Sequence, residues 1–309
     1  MQRFVVIIGV LGLLLTGCKK SQQGALVDPA LSTLVPADTT MLVGIRAEEL
    51  MKLPLYQRYL ANRPIGPLDE FAKRTGLNVR TDVWEVLFIS NGKDSVVLGR
   101  GKFANEAEPR LKFEDATTKR FSYKGYTFIG DEETAVLLMG PSVAGIGNTP
   151  GLRRIVDARD RSNGPPAVLA KRMQEVPREA VIWSAYAGAP IDLPRDIPPN
   201  LGNLVKILNS IESGSFYLDL RLGLAGKAAG SAATDAAAKE LHDALRGLVG
   251  FARLGTGKDD AGMKKSLDGV RVTQEGRNVN VYMDAPEEAL GQLFDVWMGQ
   301  TRERPPQLK

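Results

Sequence analysis

The sequence is almost without cysteine and histidine, holding one of each in 309 residues, Cys18 and His242. A single cysteine allows no disulfide within the chain, so stability must come from packing. A single histidine excludes His-rich zinc sites and any proton relay that needs two imidazoles. No Gly-x-Ser-x-Gly elbow is present, and no EF-hand calcium loop. No stretch reaches the roughly 18–20 apolar residues that a membrane-spanning helix needs. An excess of one charge is also missing. Forty basic residues stand against 36 acidic ones, interspersed, which predicts no nucleic-acid-binding stripe. What is present is a globular share of apolar residues, 43%, too high for a wholly disordered chain.

The amino terminus reads MQRFVVIIGVLGLLLTGCKK. Arg3 precedes an apolar run from Phe4 to Leu15, a length that suits a signal-peptide core better than a span. Small residues lead into Cys18. The stretch Leu14-Leu15-Thr16-Gly17-Cys18 resembles a bacterial lipobox. That resemblance implies cleavage between Gly17 and Cys18 and acylation of Cys18, palmitate included. One acyl chain binds a membrane marginally, whereas two or more anchor it stably. Lys19, in place of the Asp that retains enteric lipoproteins at the inner membrane, tilts the expectation to the outer membrane with the globular part in the periplasm. On residues alone, an ordinary secretory signal with an incidental cysteine stays open. Residues 1–17 are thus expected as signal peptide, and 18–34, polar with few bulky groups, as a tether.

Two later stretches read alike. Val35-Pro36-Ala37-Asp38 leads into an apolar strand at Thr40–Ile45, and Val176-Pro177-Arg178-Glu179 into another at Val181–Tyr186. Helical spacing follows each, through Leu55, Tyr59, Leu60, Leu68 and Phe71 in the first case and Leu201–Ile211 in the second. Val83–Ile89 and Ser95–Lys102, joined by Asn91-Gly92-Lys93-Asp94, predict a hairpin. Phe216, Leu218, Leu220, Leu222 and Leu224 alternate with polar residues, predicting one buried face. A helix is expected over Thr234–Leu254, striped by Ala237, Leu241, Ala244, Leu245 and Leu248. Strands are expected at Phe121–Ile129, Ala135–Met139, Ser142–Ile146, Val270–Thr273 and Val279–Met283, with helices from Thr149 and Pro286. Short turns between strands imply antiparallel pairing. The expected fold is α+β: two related subdomains, 35–175 and 176–300, with helices on one sheet face and a polar tail at 301–309. A single continuous sheet built from both halves is the alternative.

The stretches LVPADTTMLVGIR, YKGYTFI (Tyr123–Ile129), GLRRIVDARDRSNGPP (Gly151–Pro166), Val176 to Trp183, and VTQEGRNVNVYMDAP resemble a group of uncharacterised bacterial envelope lipoproteins. The resemblance implies location and fold, and carries no catalytic residue with it.

Motifs for chemistry are weak. Gly145-Ile146-Gly147-Asn148-Thr149-Pro150-Gly151 lacks dinucleotide-loop spacing, and Pro150 removes an amide. Gly255-Thr256-Gly257-Lys258 has Asp259 where a phosphate loop needs Ser or Thr. The acid pairs Glu48-Glu49, Glu132-Glu133, Asp259-Asp260 and Glu287-Glu288 are sequence neighbours, which does not establish a catalytic carboxylate pair. His242 reads as a surface or boundary residue, and Trp84, Trp183 and Trp297 as core. The leading expectation is a non-catalytic, lipid-anchored envelope protein that holds the membrane through Cys18, takes no cofactor, metal, nucleotide or nucleic acid, and serves a structural or protein-interaction role. The alternatives are a carrier of an apolar ligand or lipid, marked by a continuous apolar pocket, and a carboxylate hydrolase, marked by converging acids.

Overall fold

The computed structural model describes residues 25–64, 66, 69, 72–73, 77–103, 119–159, 161, 164–188, 210–256 and 261–287. The leader with Gly17 and Cys18, residues Leu68, Phe71, Leu201–Leu208 and Trp297, the helix expected beyond Pro286 and the 301–309 tail lie outside them.

Among the described residues twelve strands form one antiparallel sheet. They are β1 (Met41–Ile45), β2 (Val83–Ser90), β3 (Ser95–Gly101), β4 (Lys119–Tyr123), β5 (Tyr126–Gly130), β6 (Thr134–Leu138), β7 (Val143–Asn148), β8 (Ile182–Ala187), β9 (Ile211–Asp219), β10 (Leu224–Ala232), β11 (Arg271–Glu275) and β12 (Asn278–Ala285). Their order across the sheet is β11-β12-β10-β9-β8-β1-β2-β3-β7-β6-β5-β4. The two halves of the chain therefore meet edge to edge at β1 and β8. The continuous sheet, left open by the strand pattern, is what forms, in place of two separate subdomains.

The junction is built by one glycine and one tryptophan. Gly44 of β1 faces Trp183 of β8 in register. A Cβ on Gly44 would stand 2.2 Å from the indole, so only glycine lets the ring lie flat across the seam. Trp183 is fully buried, in the core role the sequence suggested.

Among the described residues eight helices pack on this sheet: α1 (Pro29–Ser32), α2 (Ala47–Lys52), α3 (Pro54–Tyr59), α4 (Val79–Asp82), α5 (Thr149–Ala158), α6 (Ala167–Met173), α7 (Asp235–Gly255) and α8 (Ala261–Asp268). The expectation of helices on one face is wrong. In β1 to β3 both alternate sets of side chains are apolar, so both faces need cover. On the first face Leu42, Leu87, Leu98, Phe128 and Leu137 meet Leu31 of α1, Leu152 and Ile155 of α5 and Leu169 of α6, together with Trp183 and Ala185 of β8. Both halves share that core. On the second face, α7 seals the second half through Ala238 and Leu241 against Val279.

The tether expectation fails from residue 25 onward. Val27, Leu31 and Leu34 are buried in the main core. Their spacing of three and four puts these few bulky groups on one side of a turn, started by Pro29 and capped by Asp28 Oδ1 accepting from Ala30 N at 2.7 Å. Phe121–Ile129 is two strands rather than one, because Lys124 and Gly125, both at positive φ, make a two-residue turn. The Phe216–Leu224 alternation is broken at residues 221–223, a turn that leaves Leu222 98% exposed. On α7 the expected stripe is sealed only at its start, and Leu248, Phe251 and Leu254 are exposed.

Candidate functional site

Among the described residues, the second face of the first half is not sealed. Between α2, α3 and the sheet lies an open groove of about 460 Å³. Its floor is Val86 of β2, Val97 and Gly99 of β3, Val136 of β6 and Ala144 and Ile146 of β7. These residues stand in register across the pairings Val86↔Gly99, Val97↔Ile146 and Val136↔Ile146, so they share one face. Leu77, Val83 and Phe103 close the back. Gly99 is part of the design, since a Cβ there would press to 3.0 Å on the Phe103 ring.

The near wall comes from two short helices. On α2, Glu48 and Glu49 turn outward to Lys52 at 2.9 and 3.2 Å, leaving Leu50 and Met51 to line the groove. On α3, Tyr56 is buried against it. The end of α3 is held by Arg80 of α4. Its Nη1 donates to the Leu60 and Ala61 carbonyls at 2.9 and 2.8 Å, and its Nη2 to the Arg63 carbonyl at 2.7 Å. Among the described residues, Arg80 is the one charged residue on a wall otherwise made of Val, Leu, Ile, Ala, Gly, Met, Phe and Tyr. A groove of this volume and apolarity fits the usual small-molecule site, roughly 300–1,000 Å³ with few polar groups.

The second half leaves its other face open, with different chemistry. Tyr217, Lys227, Tyr282 and Arg271 align in register across β9, β10, β12 and β11. Arg271 and Lys227 lie over the Tyr282 ring at 4.5 and 5.5 Å. Tyr217, Arg271 and Tyr282 border a cleft of about 590 Å³ that also holds Asp219, Arg221, Asp268 and Asp284. Arg221 Nε donates to both Asp219 oxygens at 2.9 and 3.1 Å and holds that carboxyl below the usual carboxylate range. Asp268 pairs with Arg253 at 3.5 Å, and charged groups line much of the cleft.

The other sequence candidates do not assemble. Cys18 and Gly17 lie outside the described residues. The pair Glu48-Glu49 pairs with Lys52, and Glu132 with Arg153 at 3.0 Å. Glu287 pairs with Arg58 at 2.7 Å, while Glu288, Asp259 and Asp260 lie outside the described residues. No two of the described pairs converge in one cleft. Among the described residues, no group of three His, Cys, Asp or Glu side chains is placed to hold a metal. His242 sits on α7 beside Asp243 at 2.9 Å. Trp84 lies half-buried under the Arg100 guanidinium, 5.5 Å from its ring centre.

Gly145, Gly147 and Gly151 are there for close approach. A Cβ on Gly145 would meet Leu98 and Leu152 at 2.9 and 3.0 Å, and one on Gly147 the Ser95 carbonyl at 2.4 Å. Strand β7 is antiparallel to both neighbours, so no parallel βαβ unit frames a nucleotide. The groove residues themselves were missed in the sequence. The readable signal was the run of apolar residues at every position of Val86–Ile89 and Val96–Leu98, which marks strands buried on both faces.

Comparison with known proteins bears on the fold alone. No protein-family model matches this sequence, and no curated protein matches it either. Solved structures do resemble it. Crystal form III of TP0453, an outer-membrane-associated lipoprotein of Treponema, superposes with a TM-score of 0.50 at 11% identity, covering 87% of this chain and 98% of that one. Crystal forms I and IV of the same protein give TM-scores of 0.47 and 0.43 at 11% and 13% identity, covering 87% and 86% of this chain and 97% and 96% of theirs. The shared feature is an α+β fold on a large antiparallel sheet.

Proposed function

We propose that this chain is a non-catalytic, lipid-anchored protein of the bacterial cell envelope whose folded part binds an apolar, chain-like ligand in the groove between α2, α3 and the sheet. The groove is the observation that carries this reading. It raises the apolar-ligand alternative above a purely structural role. Covering a chain of a dozen methylenes would contribute about 10 kcal/mol before the costs of binding, at ~0.8 kcal/mol per buried CH₂. Anchorage rests on the lipobox-like leader and on the fold likeness to an envelope lipoprotein. We also read the halves as a duplicated module. Their orders support this, with β1-β2-β3 followed outward by β7-β6, and β8-β9-β10 followed by β12-β11.

Native mass spectrometry on protein extracted from envelopes tests the ligand. One acyl-chain species per protein is expected, displaced by a fluorescent fatty-acid probe. Protein that carries no lipid and takes up no probe would end the reading. Anchorage is tested separately, since Cys18→Ser should move the protein from the membrane to the soluble fraction and abolish labelling by palmitate.

A protein-interaction role keeps one specific observation. Phe251 and Leu254 on α7 are 75% and 87% exposed, an apolar edge with Arg253 between them. Crosslinking on intact envelopes from α7 would capture a recurrent partner if this edge docks one; the Phe251→Ser variant should lose it.

A further inference from the structure

We infer that the groove selects a ligand with an anionic head, a free long-chain fatty acid, and that Arg80 is the residue that reads its carboxylate. This rests on the groove being a ligand site at all.

Of the described residues around the groove, Arg80 alone carries a charge. A guanidinium has five N–H donors. Three are spent on the carbonyls of Leu60, Ala61 and Arg63. The remaining two, on Nε and Nη2, meet no acceptor among the described residues. The three carbonyls fix the side chain in place without neutralising its charge, and among the described residues no carboxylate pairs with it. A positive charge half-buried beside an apolar wall favours an anionic partner more strongly than the same charge in water. The chemistry complementary to the whole site is therefore a long alkyl chain for the Val, Leu and Ile surface and one small planar anion for the fork. A fatty acid has both. A fatty alcohol has only the first.

The test uses the full mature chain carrying Cys18→Ser, so that its own acyl groups do not compete. Palmitic acid and hexadecanol are titrated against it at a pH where the acid is ionised. A charge-assisted hydrogen bond discriminates by roughly tenfold to a hundredfold, so the wild type should prefer the acid by that ratio. Arg80→Gln should bring the ratio near one, and Arg80→Lys, which keeps the charge and loses the fork, should retain part of it. A role limited to holding α3 would lower both affinities together and leave the ratio unchanged, which would overturn the assignment. So would equal binding of the two ligands by the wild type, an outcome that leaves the groove intact as an apolar site. Failure to bind either ligand removes the groove reading and this inference together. Should Arg80→Gln not fold, the wild-type ratio and Arg80→Lys decide the matter.

Discussion

The two open faces of the sheet are made from the same kind of strand and carry opposite chemistry. In the first half the open face is Val86, Val97, Val136, Ala144 and Ile146 under a partial helical roof. In the second half it is Tyr217, Lys227, Tyr282 and Arg271, ringed by Asp219, Asp268 and Asp284. Water can solvate the second surface as it stands, since Arg271 and Lys227 lie over Tyr282 while Asp219 and Asp268 pair with Arg221 and Arg253. Among the described residues the first surface has no such compensation and is left half-covered. An exposed apolar concavity is a standing cost in water, so where it persists it marks a binding site. The larger cleft is the less informative one, because its charged and polar groups face water without comparable cost.

The two halves share one core, and the seam residue tests this most severely. Trp183→Ala should lose about 3–5 kcal/mol, the usual cost of deleting a large buried aromatic. Urea unfolding should stay a single transition, because Trp183 packs in the cluster that holds Leu42, Leu87 and Leu98. Two separated transitions in the wild type would break the picture of one shared core.

Adjacent residues on β3 sharpen the contrast between a filled face and an open one. Leu98 points into the main core and is fully buried, whereas Val97 points into the groove. Leu98→Ala should cost about 2–5 kcal/mol. Val97→Ala should cost about 1 kcal/mol or less, since its methyl groups lack a full shell of neighbours to lose. Chemical denaturation of the pair reads the difference directly, and equal losses would mean that the groove is closed in solution.

A third pair compares the open faces themselves. Ile146, 37% exposed on the groove floor, is changed to Asp. Stability should move by about 1 kcal/mol at most, as for surface substitutions, while binding of an acyl-chain probe falls at least about tenfold, from one desolvated charge in an apolar site. Lys227→Ala on the other open face removes only a cation over Tyr282, about 0.5–1 kcal/mol. It should leave probe binding unchanged.

Much of this architecture was legible in the sequence, and the misses share a physical origin. The hairpin at Asn91–Asp94 could be read because Asn91 Oδ1 accepts from Lys93 N and Asp94 N, a local device that a short motif encodes. The α5 helix could be read because Pro150 and the Leu152, Ile155, Val156 spacing act within one element. What could not be read depended on distant pairing. Leu31 and Leu34 look like sparse residues in a polar linker until the core of β1 to β3 is there to receive them. The groove is harder still. Val86, Val97 and Ile146 come from three strands, and the helices that fail to cover them are made by Leu50, Met51 and Tyr56. An incomplete covering has no motif. Arg80 falls in the same class, since its role follows from carbonyls 17 to 20 residues earlier in the chain.

The smallest predicted effect concerns how the two halves hold their acids. Glu85, on the filled face, accepts from Asp28 N at 3.0 and 3.2 Å. Burial still pushes its carboxyl above the ordinary range, and the neighbouring Asp28 charge adds to this. Asp219 beside the polar cleft is held below its range by Arg221. The two linkages have opposite signs. A raised folded pKa means that the folded state binds the proton more tightly, so the Glu85 contribution is fully present below the ordinary glutamate range and is lost as pH rises through the raised value. The Asp219 contribution is present above the ordinary aspartate range and is lost as pH falls through the depressed value. Relative to wild type, Glu85→Gln should therefore gain stability as pH rises from the acid side toward neutrality, keeping an amide oxygen for Asp28 N. Asp219→Asn should show a deficit at neutral pH that disappears in acid, and a small one, because the pair is largely solvated. Urea midpoints for both variants and the wild type across that window read the signs. Parallel pH profiles for the two variants would mean that the filled face is wet at Glu85, and that the distinction between a sealed face and a solvated one does not extend to the edge of the core.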